Sequence, residues 1–372
     1  MRRYKIIISG GGTGGHIFPA LSIANEIKQR FEDAEILFIG AENRMEMERV
    51  PAAGYRIIGL PVAGFNRKNL LKNVNVVIRL LRSLLMAKKI IRKFKPDIVV
   101  GVGGYASGPT LWMASSLHIP VVIQEQNSYA GVTNKLLGKR AAKICVAYRG
   151  MDKYFPADRI VLTGNPVRKE LETVQEKTDE AYRYFGFEGG KPVLLIIGGS
   201  LGARTINQSI AKGLDSLLDA GVQVIWQTGK SMVNGQWSMV NEDAGKNKSL
   251  WVSDFITRMD YAYAIADLVV SRAGAGTLSE LCLLKKAAIL VPSPNVAEDH
   301  QTKNARTLSD SNAAVFISDK AAEDQLVPVA LELLKNKERL CTLSENITTF
   351  AEQNSAKRIV NEIVDTITKY EI

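Results

Sequence analysis

The sequence predicts an α/β protein with two doubly wound, Rossmann-like domains. Apolar runs of strand length alternate with segments of helix length through most of the chain, and continuous apolar strands are typical of parallel sheets covered on both faces. The runs fall into two series, and 372 residues exceed the size of one ordinary domain. Three glycine-rich turns each follow a strand and open a helix, as nucleotide-binding folds require.

Six strands are predicted in the first series and five in the second. The first six are at residues 4–9, 35–39, 55–60, 97–102, 121–124 and 143–147. The other five are at residues 193–197, 222–226, 268–271, 288–291 and 313–317. Each strand is followed by a stretch long enough for a crossover helix, which a parallel sheet needs.

The boundary between the two series is predicted at the turn of residues 163–166. Residues 1–164 then form the first domain and residues 165–349 the second. The chain ends in two helical patterns, at residues 337–352 and 356–370.

The composition favours a cytoplasmic protein. No apolar run reaches the ~20 residues that cross a bilayer, and the start of the sequence has no signal-peptide core followed by a cleavage site. The three cysteines are far apart and form no CxxC pair, which indicates neither a disulfide framework nor a zinc site. We expect no bound metal and no cofactor.

The three glycine-rich turns are at residues 9–16, 198–203 and 272–277. Glycine lets backbone N–H groups approach an anion, and a helix amino terminus adds partial positive charge. The first turn fits GxGxxG, yet the acid expected at the end of the second strand is missing, since Glu42 lies beyond it. Each turn alone is equally well explained by close packing of helix on strand, whereas three together favour a phosphate site.

The third turn leads into a helix that carries Thr277 and Glu280. Thr277 can offer hydroxyl and backbone donors to a phosphate at the helix start. Glu280 lies one helical turn further on and can accept hydrogen bonds from two ribose hydroxyls. The alternative is that Thr277-x-x-Glu280 forms a capping box.

A set of motifs runs in order along essentially the whole chain. They are Gly11-Gly12-Thr13-Gly14-Gly15-His16, Glu125-Gln126-Asn127, Gly164-Asn165-Pro166-Val167-Arg168, Gly198-Gly199-Ser200, Ser271-Arg272-Ala273-Gly274-Ala275, and His300-Gln301 with Asn304-Ala305. As a set they resemble the family of bacterial transferases that add N-acetylglucosamine to lipid I to make lipid II. The resemblance implies the GT-B architecture, with a cleft between two Rossmann-like domains and the last helix, about residues 350–372, packed back on the first.

The resemblance also implies the substrates. UDP-N-acetylglucosamine is the expected donor, and the C4 hydroxyl of the muramyl sugar of lipid I is the expected acceptor, with inversion at the anomeric carbon. The residues that it implies for donor binding are Thr13, Gly14, Gly15, Asn127, Arg168, Ser200, Ile256, Ala275, Thr277, Glu280, Gln301 and Asn304.

The attacking hydroxyl needs a general base, and two residues are candidates. His16 follows the first glycine turn, and a histidine suits proton transfer near neutral pH. Glu125, at the end of the fifth predicted strand, is the other. Either side chain has a structural alternative: His16 orients the turn, and Glu125 holds the next loop through backbone N–H groups.

The leaving diphosphate gathers negative charge and needs fixed donors or a metal. Many nucleotide-sugar enzymes bind a metal at Asp-x-Asp, but this sequence contains no Asp-x-Asp. Helix amino termini and the turns at Ser200 and Thr277 are therefore expected to supply the stabilisation, with each donor worth roughly 3–4 kcal/mol of barrier.

Positive charge is concentrated in one part of the chain. The formal net charge is +10, and residues 49–96 hold twelve Lys and Arg but no Asp or Glu. Within the segment of residues 65–95, helical spacing brings Lys72, Arg79, Arg82 and Lys89 to one side, with aliphatic residues roughly opposite. An anionic membrane that carries the acceptor would attract this side, which predicts a peripheral position on the cytoplasmic face. The alternative is a core helix with a solvated basic face.

Other function classes are less favoured. Nucleic-acid binding is disfavoured because no aromatic stacking platform accompanies the basic residues in the sequence. A nicotinamide-dependent oxidoreductase would need the missing ribose-binding acid. A non-enzymatic membrane adaptor would have no use for glycine turns in the second series.

Overall fold

The computed structural model describes residues 3–64, 74–199, 202–229, 247–296 and 299–370. The chain forms two compact units, which we call the amino-terminal unit (Met1–Val167 with Glu352–Ile372) and the carboxy-terminal unit (Arg168–Ala351). Within the described residues, no helix combines the length and the apolar composition needed to cross a membrane.

The amino-terminal unit is built on a sheet of seven parallel strands in the order β3-β2-β1-β4-β5-β6-β7. These strands are β1 (Lys5–Ser9), β2 (Glu35–Ala41), β3 (Arg56–Leu60), β4 (Ile98–Gly101), β5 (Val121–Glu125), β6 (Lys143–Val146) and β7 (Ile160–Leu162). Its helices are α1 (Gly14–Arg30), α2 (Glu46–Ala52), α3 (Val74–Phe94), α4 (Ser107–Ser116), α5 (Val132–Gly138) and α13 (Ser355–Tyr370).

Both faces of this sheet are covered, which explains why its strands are predominantly apolar. Alternate residues of β1 enter two separate cores, Ile6 and Ile8 on one face and Ile7 on the other. The last helix, α13, packs against α1 and contributes Ile359 and Ile363 to the first core. The end of the chain therefore belongs structurally with its beginning.

The carboxy-terminal unit has six parallel strands in the order β10-β9-β8-β11-β12-β13. They are β8 (Val193–Ile197), β9 (Gln223–Gln227), β10 (Leu250–Ser253), β11 (Leu268–Ser271), β12 (Ala288–Leu290) and β13 (Val315–Phe316). The described helices are α6 (Asp179–Phe185), α7 (Arg204–Asp219), α8 (Met259–Ile265), α9 (Ala275–Leu283), α10 (His300–Ser309), α11 (Ala322–Lys335) and α12 (Lys337–Ile347).

Three elements differ from the prediction. The strand β7 (Ile160–Leu162) was not predicted, because it has only three residues and lies at the edge of its sheet. The strand Leu250–Ser253 was not predicted, because it is a four-residue edge strand that pairs with β9 alone among the described strands. The helical pattern at residues 337–352 continues too far, since α12 ends at Ile347 and a short 3₁₀ turn follows. All three errors concern element ends and short edge strands, where local sequence carries the weakest signal.

Candidate functional site

Each sheet contains a switch point, where neighbouring strands send their connections in opposite directions. In the amino-terminal unit it lies between β1 and β4, and in the carboxy-terminal unit between β8 and β11. The first glycine turn follows β1, and the second and third turns follow β8 and β11. Ligands of open α/β sheets bind beyond the carboxyl ends of the strands at such points.

The first glycine turn is held by the ends of the neighbouring strands. The Gly10 N–H donates to the Ile39 carbonyl at 3.2 Å, and the Gly11 N–H donates to the Gly103 carbonyl at 3.3 Å. Gly11 and Gly12 have φ angles of 148° and 89°, which favour glycine. The turn is thus a fixed feature of the amino-terminal unit.

Sequence reasoning missed a buried acid beneath this turn. Glu46, at the start of α2, is 1% exposed. Its Oε1 accepts the Ala41 N–H and its Oε2 the Gly12 N–H, both at 2.9 Å. Glu42 is the first acid after the second strand, and Glu46 lies four positions further along the chain. Local sequence did not indicate Glu46, because the two N–H groups that it binds come from the end of β2 and from the glycine turn rather than from its own helix.

His16 folds back onto the turn that precedes it. Its Nδ1 lies 3.0 Å from the Gly11 carbonyl oxygen and 3.2 Å from the Thr13 hydroxyl. Because a carbonyl can only accept, Nδ1 carries the proton in the neutral ring and the lone pair is on Nε2. A Cβ atom added to Gly103 would lie 2.9 Å from Nε2, so the ring rests against that glycine.

Glu125 is buried at the end of β5 and accepts four hydrogen bonds. Oε1 accepts from the backbone and side-chain nitrogens of Asn127 at 3.1 and 3.2 Å. Oε2 accepts from the Gly131 N–H at 3.0 Å and the Asn134 amide at 2.9 Å. Four donors match the acceptor capacity of a carboxylate, so Glu125 holds the loop of residues 127–131 and positions Asn127.

The third glycine turn leads directly into α9. The helix begins at Ala275, after Gly274, and has no side-chain cap. Thr277 and Glu280 are therefore both inside the helix, and the capping box does not form. Among the described residues, a Cβ atom added to Gly274 or Gly276 would meet nothing within 4 Å, so their packing does not require a small residue at either position.

Glu280 is buried beside two polar partners from its own unit. Its Oε2 accepts the Tyr263 hydroxyl at 2.9 Å, and its Oε1 lies 3.3 Å from the Arg168 Nε. Burial raises the pKa of Glu280, while Arg168 and the Tyr263 hydroxyl act in the opposite direction. Each carboxylate oxygen retains capacity for a second hydrogen bond, as ribose hydroxyls would require.

The remaining predicted donor residues have varied surroundings. Ile256 and Ala275 are buried. Gln301 accepts the Ser293 N–H at 2.9 Å, and the buried Asn304 donates to the Ala273 carbonyl at 3.4 Å. Thr13 and Gly15 are exposed, and Gly14 is half-buried. Ser200 and Lys72 lie outside the described residues.

Sequence reasoning also missed the role of Arg272 in the third turn. Its guanidinium donates to the carbonyls of Val291 and Pro292 at 3.0 and 3.1 Å and to Asp319. These bonds join the loop after β11 to the loops after β12 and β13. Across the described ranges, no three His, Cys, Asp or Glu side chains come together in a group that could hold a metal ion.

Two doubly wound units with glycine turns at their switch points define the class of enzymes built from two Rossmann-like domains. The chain matches the glycosyltransferase family 28 N-terminal domain over residues 6–146 and the family 28 C-terminal domain over residues 193–362. It therefore belongs to glycosyltransferase family 28. The predicted fold class, two doubly wound domains of GT-B type, is confirmed.

Close relatives match over nearly their whole length. A protein of Parabacteroides distasonis is 64% identical over 369 residues, which cover 99% of this chain and 100% of the relative. A protein of Phocaeicola vulgatus is 59% identical, with 98% and 97% covered. Both are named UDP-N-acetylglucosamine–N-acetylmuramyl-(pentapeptide) pyrophosphoryl-undecaprenol N-acetylglucosamine transferase.

Solved structures agree with this family. The crystal structure of MurG from Acinetobacter baumannii has a TM-score of 0.77 and 27% identity, with 98% of this chain and 100% of that chain covered. The glycosyltransferase of kitacinnamycin has a TM-score of 0.69 and 14% identity, covering 97% and 99%, a likeness of fold alone.

Proposed function

We propose that this chain transfers N-acetylglucosamine from UDP-N-acetylglucosamine to the C4 hydroxyl of the muramyl sugar of undecaprenyl-diphosphate-linked N-acetylmuramyl-pentapeptide, lipid I. The product is lipid II, the precursor of cell-wall peptidoglycan. The observation that carries the proposal is the 64% identity, over the full length, to a relative named for this transfer. The test is transfer of radiolabelled sugar from UDP-N-acetylglucosamine to a lipid I analogue. Absence of labelled product would overturn it.

The donor binds at the third glycine turn in this proposal. The open space beside Gly274 and Gly276 accommodates the diphosphate against the first N–H groups of α9. Thr277 adds a hydroxyl, and the exposed part of Arg168 adds a positive charge. Glu280 accepts the ribose hydroxyls. The α9 N–H groups, the Thr277 hydroxyl and Arg168 stabilise the charge that the diphosphate gathers as it leaves.

His16 is the general base in this proposal. The acceptor O4–H bond breaks and its proton passes to His16 Nε2, while O4 bonds to the anomeric carbon and the bond to UDP breaks. Support comes from the Nδ1 contact with the Gly11 carbonyl, which leaves the lone pair on Nε2. Glu125 is disfavoured because four hydrogen bonds already occupy its carboxylate.

Removal of the Glu280 carboxylate tests the donor site. Glu280→Ala should weaken binding of UDP and UDP-sugar alike, by about 1.5–3 kcal/mol for lost hydrogen bonds to a charged group. Isothermal titration calorimetry measures this, with Glu332→Ala on the exposed side of α11 as a control for lost negative charge. Unchanged UDP affinity with a lower melting temperature would mean that Glu280 only holds Arg168 and Tyr263.

The chemistry should need no tightly bound metal, since the sequence has no Asp-x-Asp motif. We expect the rate of transfer to persist in excess chelator. Complete loss of transfer, restored by one particular divalent ion, would contradict this.

We further propose that the protein docks peripherally on the anionic cytoplasmic face of the membrane through α3. Val77, Leu81 and Leu85 are 46%, 57% and 70% exposed. The residues of α3 that are buried are instead Ser83, Ala87 and Ile91. Most of the aliphatic side is thus not a core face, and this argues against the buried-helix alternative.

The basic residues of α3 complete this surface. Arg79, Arg82 and Lys89 are exposed on the same helix. An amphipathic helix with exposed aliphatic side chains and neighbouring bases lies in a membrane interface, with its bases at the anionic head groups. The lipid-linked acceptor is carried by such a surface.

A further inference from the structure

The buried carboxylate of Glu46 and the ring of His16 hydrogen-bond to the same peptide group. That group is the bond between Gly11 and Gly12. Its N–H donates to Glu46 Oε2 at 2.9 Å, and its carbonyl oxygen is 3.0 Å from His16 Nδ1. A continuous chain of hydrogen bonds therefore runs from carboxylate through peptide to imidazole.

The glycines around Glu46 show that this arrangement is built into the packing. A Cβ atom on Gly11 would lie 2.1 Å from Glu46 Oε1, and one on Gly40 would lie 2.6 Å from Glu46 Cγ. Both positions therefore have room for the carboxylate only as glycine. Glu46 Oε1 accepts the Ala41 N–H at 2.9 Å, so the carboxylate has little freedom to turn away from the peptide.

We infer that Glu46 is a positioning residue that acts on His16 through the Gly11–Gly12 peptide. A peptide whose N–H donates to a carboxylate is polarised, and its carbonyl becomes a better acceptor. The carbonyl then holds the proton on His16 Nδ1 and stabilises the imidazolium that forms when Nε2 takes a proton. A buried carboxylate does the same by direct contact in serine hydrolases; here the peptide stands between the two side chains.

The first glycine turn then has a role different from that of the third. The N–H groups of Gly10, Gly11 and Gly12 donate to Ile39, Gly103 and Glu46, all within the amino-terminal unit. These three groups are committed to holding the turn. The turn therefore serves to orient His16 rather than to wrap a diphosphate with its first three amides.

The first test is a double-mutant cycle, and it rests on the proposed role of His16 as base. Glu46→Gln should lower kcat/KM by about 10–100-fold, as loss of a group that orients a functional histidine does, with KM for the donor changed less than about threefold. In the His16→Ala background the same change should cost less than about threefold. Equal losses in both backgrounds would overturn the inference, since Glu46 would then act only on the fold.

The pH profile supplies a second reading of the same variant. An uncharged amide stabilises the imidazolium less than a carboxylate does. On the acidic side, kcat/KM falls as the base becomes protonated. The pH at which this fall occurs should therefore be lower in Glu46→Gln. A fall at the same pH as in the wild type would contradict a link from Glu46 to the base.

The third test does not depend on activity, and its first measurement needs only the wild-type protein. The chain has three histidines, His16, His118 and His300, so their ¹⁵N-labelled side chains can be assigned individually by NMR. Neutral His16 should carry its proton on Nδ1, and Glu46→Gln should increase the Nε2–H form, with the other two histidines unchanged. An Nε2–H form of His16 in the wild-type protein would overturn the inference, whereas full activity of His16→Ala would overturn only its role as base.

Discussion

Replacing His16 by alanine should lower kcat by about 10²–10⁴-fold, the range that a positioned general base contributes. UDP affinity should change little, because the proposed donor contacts at Arg168, Thr277 and Glu280 belong to the carboxy-terminal unit. Steady-state kinetics with a lipid I analogue measures the first quantity, and calorimetry with UDP measures the second.

A second histidine provides the matched control. His118 is exposed in the turn between α4 and β5, with a φ angle of 61°. His118→Asn keeps a residue that tolerates this backbone conformation, and its kcat should equal that of the wild type. Near-normal turnover of His16→Ala would remove His16 from the mechanism and make Glu125 the next residue to test, despite its four hydrogen bonds.

Reversing the charge of α3 should release the protein from anionic vesicles. Each basic residue near such a surface contributes about 1 kcal/mol, and reversal replaces attraction by repulsion. Arg79, Arg82 and Lys89 changed together to Glu should therefore weaken binding by about 10³-fold or more at low salt, and less at high salt, where screening is strong. Activity on a short, water-soluble acceptor should survive. Vesicle sedimentation across a salt series measures the binding.

The exposed aliphatic residues allow a separate test on the same helix. Leu81→Ser with Leu85→Ser should weaken vesicle binding by about 100-fold, from roughly 1.5 kcal/mol of lost apolar burial per side chain. Unlike the charge effect, this loss should persist at high salt.

A control for the charge reversal changes three exposed lysines of the carboxy-terminal unit, Lys320, Lys335 and Lys337, to Glu. It alters the net charge as much as the reversal on α3 does, and vesicle binding should stay near the wild-type value. Vesicle binding that survives both α3 variants would show that the membrane contact lies elsewhere on the protein.

The fold was predictable because its signal is local and repeated. Val193–Ile197 is apolar at every position, and Lys5–Ser9 has isoleucine at its three central positions, as a doubly covered strand requires. The spatial order of the strands in each sheet is not contained in these runs and came from the tertiary structure. The strand Leu250–Ser253 escaped prediction because four residues at a sheet edge carry too little of that pattern.

The sequence by itself determined the two doubly wound domains, the glycine turns and the candidate residues His16 and Glu125, since these depend on residue type and short spacing. Only the tertiary structure decided between alternatives that depend on distant neighbours. It brought Glu46 beneath a turn that lies 34 positions earlier in the chain, and it left the aliphatic side of α3 largely uncovered. The physical reason is the same in both cases: a side chain's chemistry is set by what packs against it, and helical or strand periodicity does not contain that information.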